Sequence, residues 1–410
     1  MNKKKFFWSF LSIVLTCNII AKEEPNRIYF HIDSIDRKIV IPILINDSIT
    51  ANLAFDSGAG IGAFDLDSTF CAKHSSVFFN HTPDTLVRSG SAWASKSFIA
   101  TIHKFAPKAN IGNTKLSFDY MRIYNWKQYN NNLKVDGLFN IPKNDSTHVW
   151  EINFANNYLE IHASDDFNMP NNCLVFPLLK NKTSSYPFNV ALPLKITCNN
   201  SDTLNLNRLF MVDTGMPQDI ALMQKADELT FFNKRKDAIW TVDMNDYKRY
   251  YIVNSTIRNE NGEVNLDSLR IYTYTFTNSV WCDYLIGQNF LKRFNVFFDL
   301  KNKQIGLQPI NNFSRIINPG HRRFHFSTLQ TPKGQTIVKY IADYNENCYK
   351  TAGLKIGDQI IKINGKAYKE YSWKEKNDFY KYDQLTFEIL RNGKLQKIIV
   401  KLDKNEKQGD

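Results

Sequence analysis

A chain of 410 residues exceeds one ordinary hydrophobic core and implies two or three domains. With 43% hydrophobic and 14% aromatic residues it has the composition of a folded protein, rich in the Val, Ile, Phe and Tyr that favour strands. The formal net charge is +12, but the Lys and Arg residues are scattered, with no basic stripe interleaved with aromatics, so a nucleic-acid partner is set aside.

The N-terminal stretch "MNKKKFFWSFLSIVLTCNIIAKEEPN" runs from a basic start through an apolar segment to a polar one. That order is the one a secretory signal needs, and residues 1–22 are read as a signal peptide, with Ala21 a candidate for the last residue removed. Cys17 raises the alternative of a lipid anchor, but "VLTC" is a poor lipobox. No later stretch approaches ~20 uninterrupted apolar residues, so no membrane span is expected, and the localisation expected is exported, periplasmic or extracellular.

Next comes "VIPILINDSITANLAFDSG", a strand, a polar turn and a second strand that delivers Asp56, Ser57 and Gly58. The pattern recurs in "ALPLKITCNNSDTLNLNRLFMVDTG", which delivers Asp213, Thr214 and Gly215. "VRSGSAWASKSF" (Val87–Phe98) reads as a hairpin, Gly- and Ser-rich around Trp93. "DGLFNIP" (Asp136–Pro142) corresponds to "DYLIGQNF" (Asp283–Phe290), and a hairpin pattern follows each copy, with turns at Asn156-Asn157 and Lys301-Asn302. Two copies of about 140 residues, each made of short strands, argue two similar β lobes, residues 23–165 and 166–312, divided near "SDDFNMPNN". After Pro309 the pattern changes. "TAGLKIGDQIIKINGKAYKEYS" and "LTFEILRNGKLQKIIVKL", with a hairpin turn at Asn392-Gly393, mark a separate small domain over residues 320–403.

One Asp-Ser/Thr-Gly turn is a weak signal, because an Asp often caps its own turn. Two copies inside a longer repeat point to paired carboxylates across a pseudo-twofold axis. Two carboxylates held a few ångströms apart share one proton, and the pair can act as base toward a water and as acid toward a carbonyl. Ser57 and Thr214 supply hydroxyls to lock the two loops together, and Gly58 and Gly215 let backbone approach the carboxylates without a Cβ clash.

On these motifs residues 28–310 resemble the bilobal, retropepsin-like aspartic proteases of bacteria. The resemblance implies a mostly β fold of two aspartic-protease-like barrel lobes, and aspartic endopeptidase activity with Asp56 and Asp213 as the catalytic pair. It also implies a flap over the substrate cleft, for which Val87–Phe98 is the candidate, and a hydrophobic-hydrophobic-Gly segment behind each aspartate. Leu285-Ile286-Gly287 matches that segment, whereas Leu138-Phe139 is followed by Asn140, read as a glycine substitute that tolerates positive φ. Met216-Pro217 is a second departure, since small residues are usual after the turn. The C-terminal "AGLKIGDQIIKINGK" resembles a PDZ domain, which implies a peptide partner bound by strand addition, although "RFHFS" (Arg323–Ser327) lacks the usual Gly-rich loop.

No metal and no cofactor are expected: the eight His residues form no H-E-x-x-H, and "HRRFH" (His321–His325) has no third ligand. The five cysteines besides Cys17 include no C-x-x-C, and Cys173 with Cys198 is the pair nearest in sequence. A peptide or protein substrate and a monomer are expected, because both turns lie in one chain. The alternative is a non-catalytic peptide-binding protein that keeps the protease fold.

Overall fold

The computed structural model describes residues 26–402, except for 34–36, 60–63, 80–84, 91–96, 105, 127–133, 143–144, 180–187, 199–201, 224–225, 236–238, 244–245, 275–281, 312, 314–325, 332–333, 342–347, 373–374 and 377–378. The proposed signal peptide with Cys17, the tip of the candidate flap at Trp93, the "HRRFH" segment and Arg323–His325 lie outside the described residues. The protein is mostly β.

Each Asp-bearing strand begins half exposed and ends fully buried. Ile49–Phe55 closes on three buried residues, and Thr203–Asp213 closes on four. The reason is that both strands gain neighbours on two sides at that end. Ile49–Phe55 lies antiparallel to Ile39–Ile45 on one side and parallel to Gly137–Phe139 on the other. Thr203–Asp213 lies antiparallel to Asn189–Thr197 and parallel to Tyr284–Gly287. A strand covered on both edges and both faces must be apolar throughout, as "LAF" and "LFMV" are.

The order of strands continues identically in both copies. In the first it runs Ile39–Ile45, Ile49–Phe55, Gly137–Phe139, Phe64–Asp67, Met121–Tyr124, Ser97–His103, Thr85–Gly90. In the second it runs Asn189–Thr197, Thr203–Asp213, Tyr284–Gly287, Ile220–Leu222, Gly262–Thr273, Asp246–Asn259, Ile239–Asp243. The last two strands of the first copy pair from Thr85↔Ile102 to Gly90↔Ser97, so the candidate flap is a hairpin at backbone level. Its counterpart, with Asp243 opposite Asp246, has no mark in the sequence reading.

The hairpins after Asn140 and Gly287 join the two copies. His148–Asn153 pairs antiparallel with Phe294–Asp299, Val149 facing Asp299 and Ile152 facing Val296. Equivalent strands of a repeat paired antiparallel are what a twofold axis between them requires. Both hairpin loops hold four residues rather than two, since Asn153 pairs with Tyr158 and Asp299 with Gln304. The left-handed residues are Asn157 (φ 55°) and Lys303 (φ 52°); Lys301 and Asn302 lie inside the second loop, where the sequence set the turn, and Asn302 bonds the Asp299 carboxylate. One apolar cluster runs through both copies, with Trp150 stacked on Phe55 and Phe298 edge-on to Phe188.

The C-terminal sheet, from Phe326–Gln330 to Lys394–Lys401, encloses its own core around Leu354, Ile363, Phe387 and Val400. Asn392 and Gly393 both take positive φ between Arg391 and Lys394, the expected two-residue turn. Cys71, Cys173, Cys198, Cys282 and Cys348 are all free thiols, so the nearest-neighbour pair Cys173 and Cys198 is not bridged.

Trp150 is fully buried, donates its indole N–H to Asp145 at 2.7 Å, and belongs to the strand that joins the two copies. Trp150→Ala is expected to cost about 3–5 kcal/mol. Denaturant unfolding, with the midpoint compared at constant slope, measures that loss.

Candidate active site

The twin strand ends bring the two Asp turns together, each carboxyl against the glycine of the opposite turn. A Cβ on Gly58 would fall onto the Asp213 carboxyl, and one on Gly215 onto the Asp56 carboxyl. Neither glycine takes a positive φ, so space and not backbone conformation demands glycine at both positions.

The hydroxyls lock this approach. Ser57 N–H donates to Thr214 Oγ1 at 2.9 Å, and Thr214 N–H donates to Ser57 Oγ at 2.9 Å. Each hydroxyl passes its own proton across the axis: Ser57 Oγ–H to the Val212 carbonyl at 2.8 Å, Thr214 Oγ1–H to the Phe55 carbonyl at 3.1 Å. Both residues are fully buried, so four polar groups that would be costly if orphaned are satisfied by the opposite copy. Asp56 Oδ1 accepts from Gly58 N–H at 3.0 Å and Ala59 N–H at 3.1 Å, and Gly215 and Met216 supply the matching amides to Asp213. All six residues singled out from the sequence therefore meet at one place.

The two positions behind the aspartates differ. Register sets Asp213 opposite Gly287, and Phe55 opposite Phe139, so that Asn140 follows where Gly287 stands. Gly287 has φ −111° and Asn140 is also outside the left-handed region, which corrects the expectation that positive φ links them. Gly287 is needed because a Cβ would run into the Gln218 and Met216 carbonyls and the Met216 methyl. Asn140 is wholly buried and instead fills its space with hydrogen bonds. Its Nδ2 donates to the Ala59 carbonyl at 3.0 Å and the Ser57 carbonyl at 3.4 Å, and its Oδ1 accepts from Ile141 N–H at 2.7 Å. Gln288, the next residue in the second copy, donates to the Thr214 carbonyl at 3.5 Å. Met216 packs with Met211, Met223, Tyr250, Tyr272 and Tyr274, so the unusual residue after the second turn becomes part of an apolar cluster beside the aspartates.

The pair is electrostatically lopsided. Asp213 is 4% exposed, while the Asp56 side chain retains 15%. Burial, together with the charge of Asp56, pushes the Asp213 carboxyl up to about 7, against smaller opposing effects of Lys38 and the Gly215 and Met216 amides. Lys38, absent from the sequence reading, lies with Nζ 3.8 Å from Asp56 Oδ2. A signal for it existed: in the hairpin ladder Ile39 faces Phe55, so counting one step further sets Lys38 against Asp56.

Glu151, Glu160 and His162 form a cluster with metal-ligating atoms that the sequence reading did not assemble. Neighbours already engage these groups: His162 Nε2 meets Glu151 at 2.8 Å, Tyr158 O–H donates to Glu151 at 3.1 Å, and Arg27 donates to Glu160 at 2.9 Å. They do not belong to the Asp56 and Asp213 site.

The raised Asp213 carboxyl makes stability pH-dependent. Unfolded, it ionises near its ordinary 3.8; folded, it holds its proton to about 7. Between those values the folded state binds more protons, so the penalty is absent below the lower value, grows as pH rises, and is complete above the upper one. Asp213→Asn should therefore leave the melting temperature nearly unchanged at pH 4 and raise it at pH 8, as thermal melts at the two pH values would show.

No family model matches the sequence, and no curated protein matches it. Among solved structures the chain is similar to the crystal structure of an aspartic proteinase from Irpex lacteus, at 12% identity and a TM-score of 0.46, over 70% of this chain and 98% of that one.

Proposed function

We propose that the protein is an aspartic-type endopeptidase that hydrolyses peptide bonds with a water activated between Asp56 and Asp213. One observation carries this reading: two Asp turns from equivalent strand ends are joined by reciprocal Ser57 and Thr214 hydrogen bonds, with each carboxyl seated against the glycine of the other turn and Asp213 feeling the charge of Asp56. A structural Asp that merely caps its own turn has no need of a second carboxylate nearby, and like charges brought near each other cost free energy unless they share a proton.

In the proposed reaction the ionised carboxylate takes a proton from water as the water oxygen attacks the scissile carbonyl carbon. The protonated carboxyl gives its proton to the carbonyl oxygen, which yields a tetrahedral diol. As the C–N bond breaks, one hydroxyl proton returns to the pair and the leaving nitrogen takes the proton gained from water. The pair ends with one proton, as it began. The Met- and Tyr-rich cluster of Met211, Met216, Tyr250 and Tyr272 would give the second copy's side of the cleft an apolar wall.

Around this core the reading assigns export to the basic-apolar-polar N-terminal stretch. It assigns peptide binding to the C-terminal sheet, whose Phe326–Gln330 strand lies at the end of the strand order. A non-catalytic binding protein that keeps the fold is the competing reading, and the same experiment separates the two.

Asp56→Asn and Asp213→Asn should each abolish cleavage of a diverse peptide library read by mass spectrometry, with circular dichroism confirming the fold. The double variant should be hardly worse than either single one, because groups that act as a unit lose activity non-additively. Near-normal cleavage by folded Asp56→Asn would defeat the proposal, and a wild-type protein that binds but never cleaves would favour the competing reading. Since the pair activates water by itself, cleavage should also persist in the presence of a metal chelator.

A further inference from the structure

The repeat is broken by one charge. Lys38 Nζ lies 3.8 Å from Asp56 Oδ2 and donates to the Gly215 carbonyl at 2.5 Å, so a side chain of the first copy reaches the turn of the second. Among the described residues the second copy offers no equivalent ammonium. Val212 N–H donates to the Phe188 carbonyl, just as Phe55 is the partner of Ile39, and the residue before Phe188 is Pro187. Among the described residues the ammonium therefore sits on the Asp56 side, while burial is deeper on the Asp213 side.

We propose that Lys38 is a positioning residue that keeps the negative charge of the pair on Asp56 and the proton on Asp213, and thereby sets the pH window in which the pair is singly ionised. This rests on reading the two aspartates as a proton-sharing pair. Other groups face the pair as well. Asp65 acts on Asp56 from Phe64–Asp67, the strand beyond Gly137–Phe139, but Arg122 holds it bidentately at 2.7 and 2.6 Å. The Tyr124 hydroxyl is 3.4 Å from Asp65 and also feels the Asp56 charge, which burial and acidic neighbours keep protonated. The Cys282 thiol, held protonated by burial, faces Asp213. Tyr124 and Cys282 bring no cation, and Arg122 is engaged by Asp65, whereas Lys38 directs its charge at one carboxylate.

A nearby cation favours every ionisation of the pair, so its loss moves both titration steps toward higher pH. The Gly215 carbonyl bond is a separate, structural contribution, and a neutral donor can retain it.

The test is an NMR titration of the full chain carrying 13C-carboxyl aspartate, which needs no turnover and so is readable even if no peptidase activity is found. In Lys38→Met both apparent steps of the pair should rise by about one pH unit or more, while Lys38→Arg should stay near wild type. Lys38→Gln keeps a donor for the Gly215 carbonyl without the charge; it should titrate like Lys38→Met, and it serves alone if the methionine variant does not fold. In an Asp213→Asn background the loss of Lys38 should shift Asp56 at least twice as far as it shifts Asp213 in an Asp56→Asn background. For the active enzyme, both limbs of the kcat/KM pH profile should move upward together. A folded Lys38→Met or Lys38→Gln variant whose pair titrates as in wild type would overturn the proposal. So would an equal shift of the two aspartates, or a kcat/KM lowered at all pH values with unmoved limbs.

Discussion

The structure turns on the crossed hydrogen bonds between Ser57 and Thr214. They satisfy buried amides and hydroxyls of each turn with groups of the other, so neither turn is complete alone. An orphaned buried polar group costs about 1–3 kcal/mol. The lock therefore opposes separation of the two copies and brings each carboxyl against the opposite turn. Glycine at 58 and 215 follows from that approach, since any side chain would occupy the opposite carboxyl.

The rest of the two-copy fold can be seen as support for this lock. The antiparallel pairing of His148–Asn153 with Phe294–Asp299 fixes the axis from below, and the shared apolar cluster with Trp150 and Phe55 fills the space between. The strand behind each aspartate is covered on both edges, which leaves the carboxylate as the first polar side chain that the chain can present. A second line of support runs through Asn140 and Gln288, which hold turn carbonyls from behind by side-chain amides.

Symmetry of backbone does not extend to symmetry of chemistry. The two copies share strand order and turn hydrogen bonds, yet Lys38 and the deeper burial of Asp213 make the two carboxylates inequivalent. A shared proton has to reside somewhere at each moment, and such differences decide where. A change at Lys38 removes a charge and the bond to the Gly215 carbonyl, while the crossed lock between the turns is made by other residues.

By itself the sequence determined the repeat, the strand character, the six residues of the paired turns and the Asn392-Gly393 hairpin, because each depends on local pattern: alternation, glycine and a carboxylate at fixed spacing. It misjudged Asn140, whose role is set by space and hydrogen-bond partners and not by φ, and it expected tight turns where both hairpin loops hold four residues. Lys38 was legible only by counting hairpin register, a step that has meaning once the ladder is known. Only the tertiary structure decided that the turns touch, that Met216 folds into an apolar cluster, and that one carboxylate lies deeper than the other. Those are matters of distance and desolvation between segments more than a hundred residues apart, and local pattern carries no record of either.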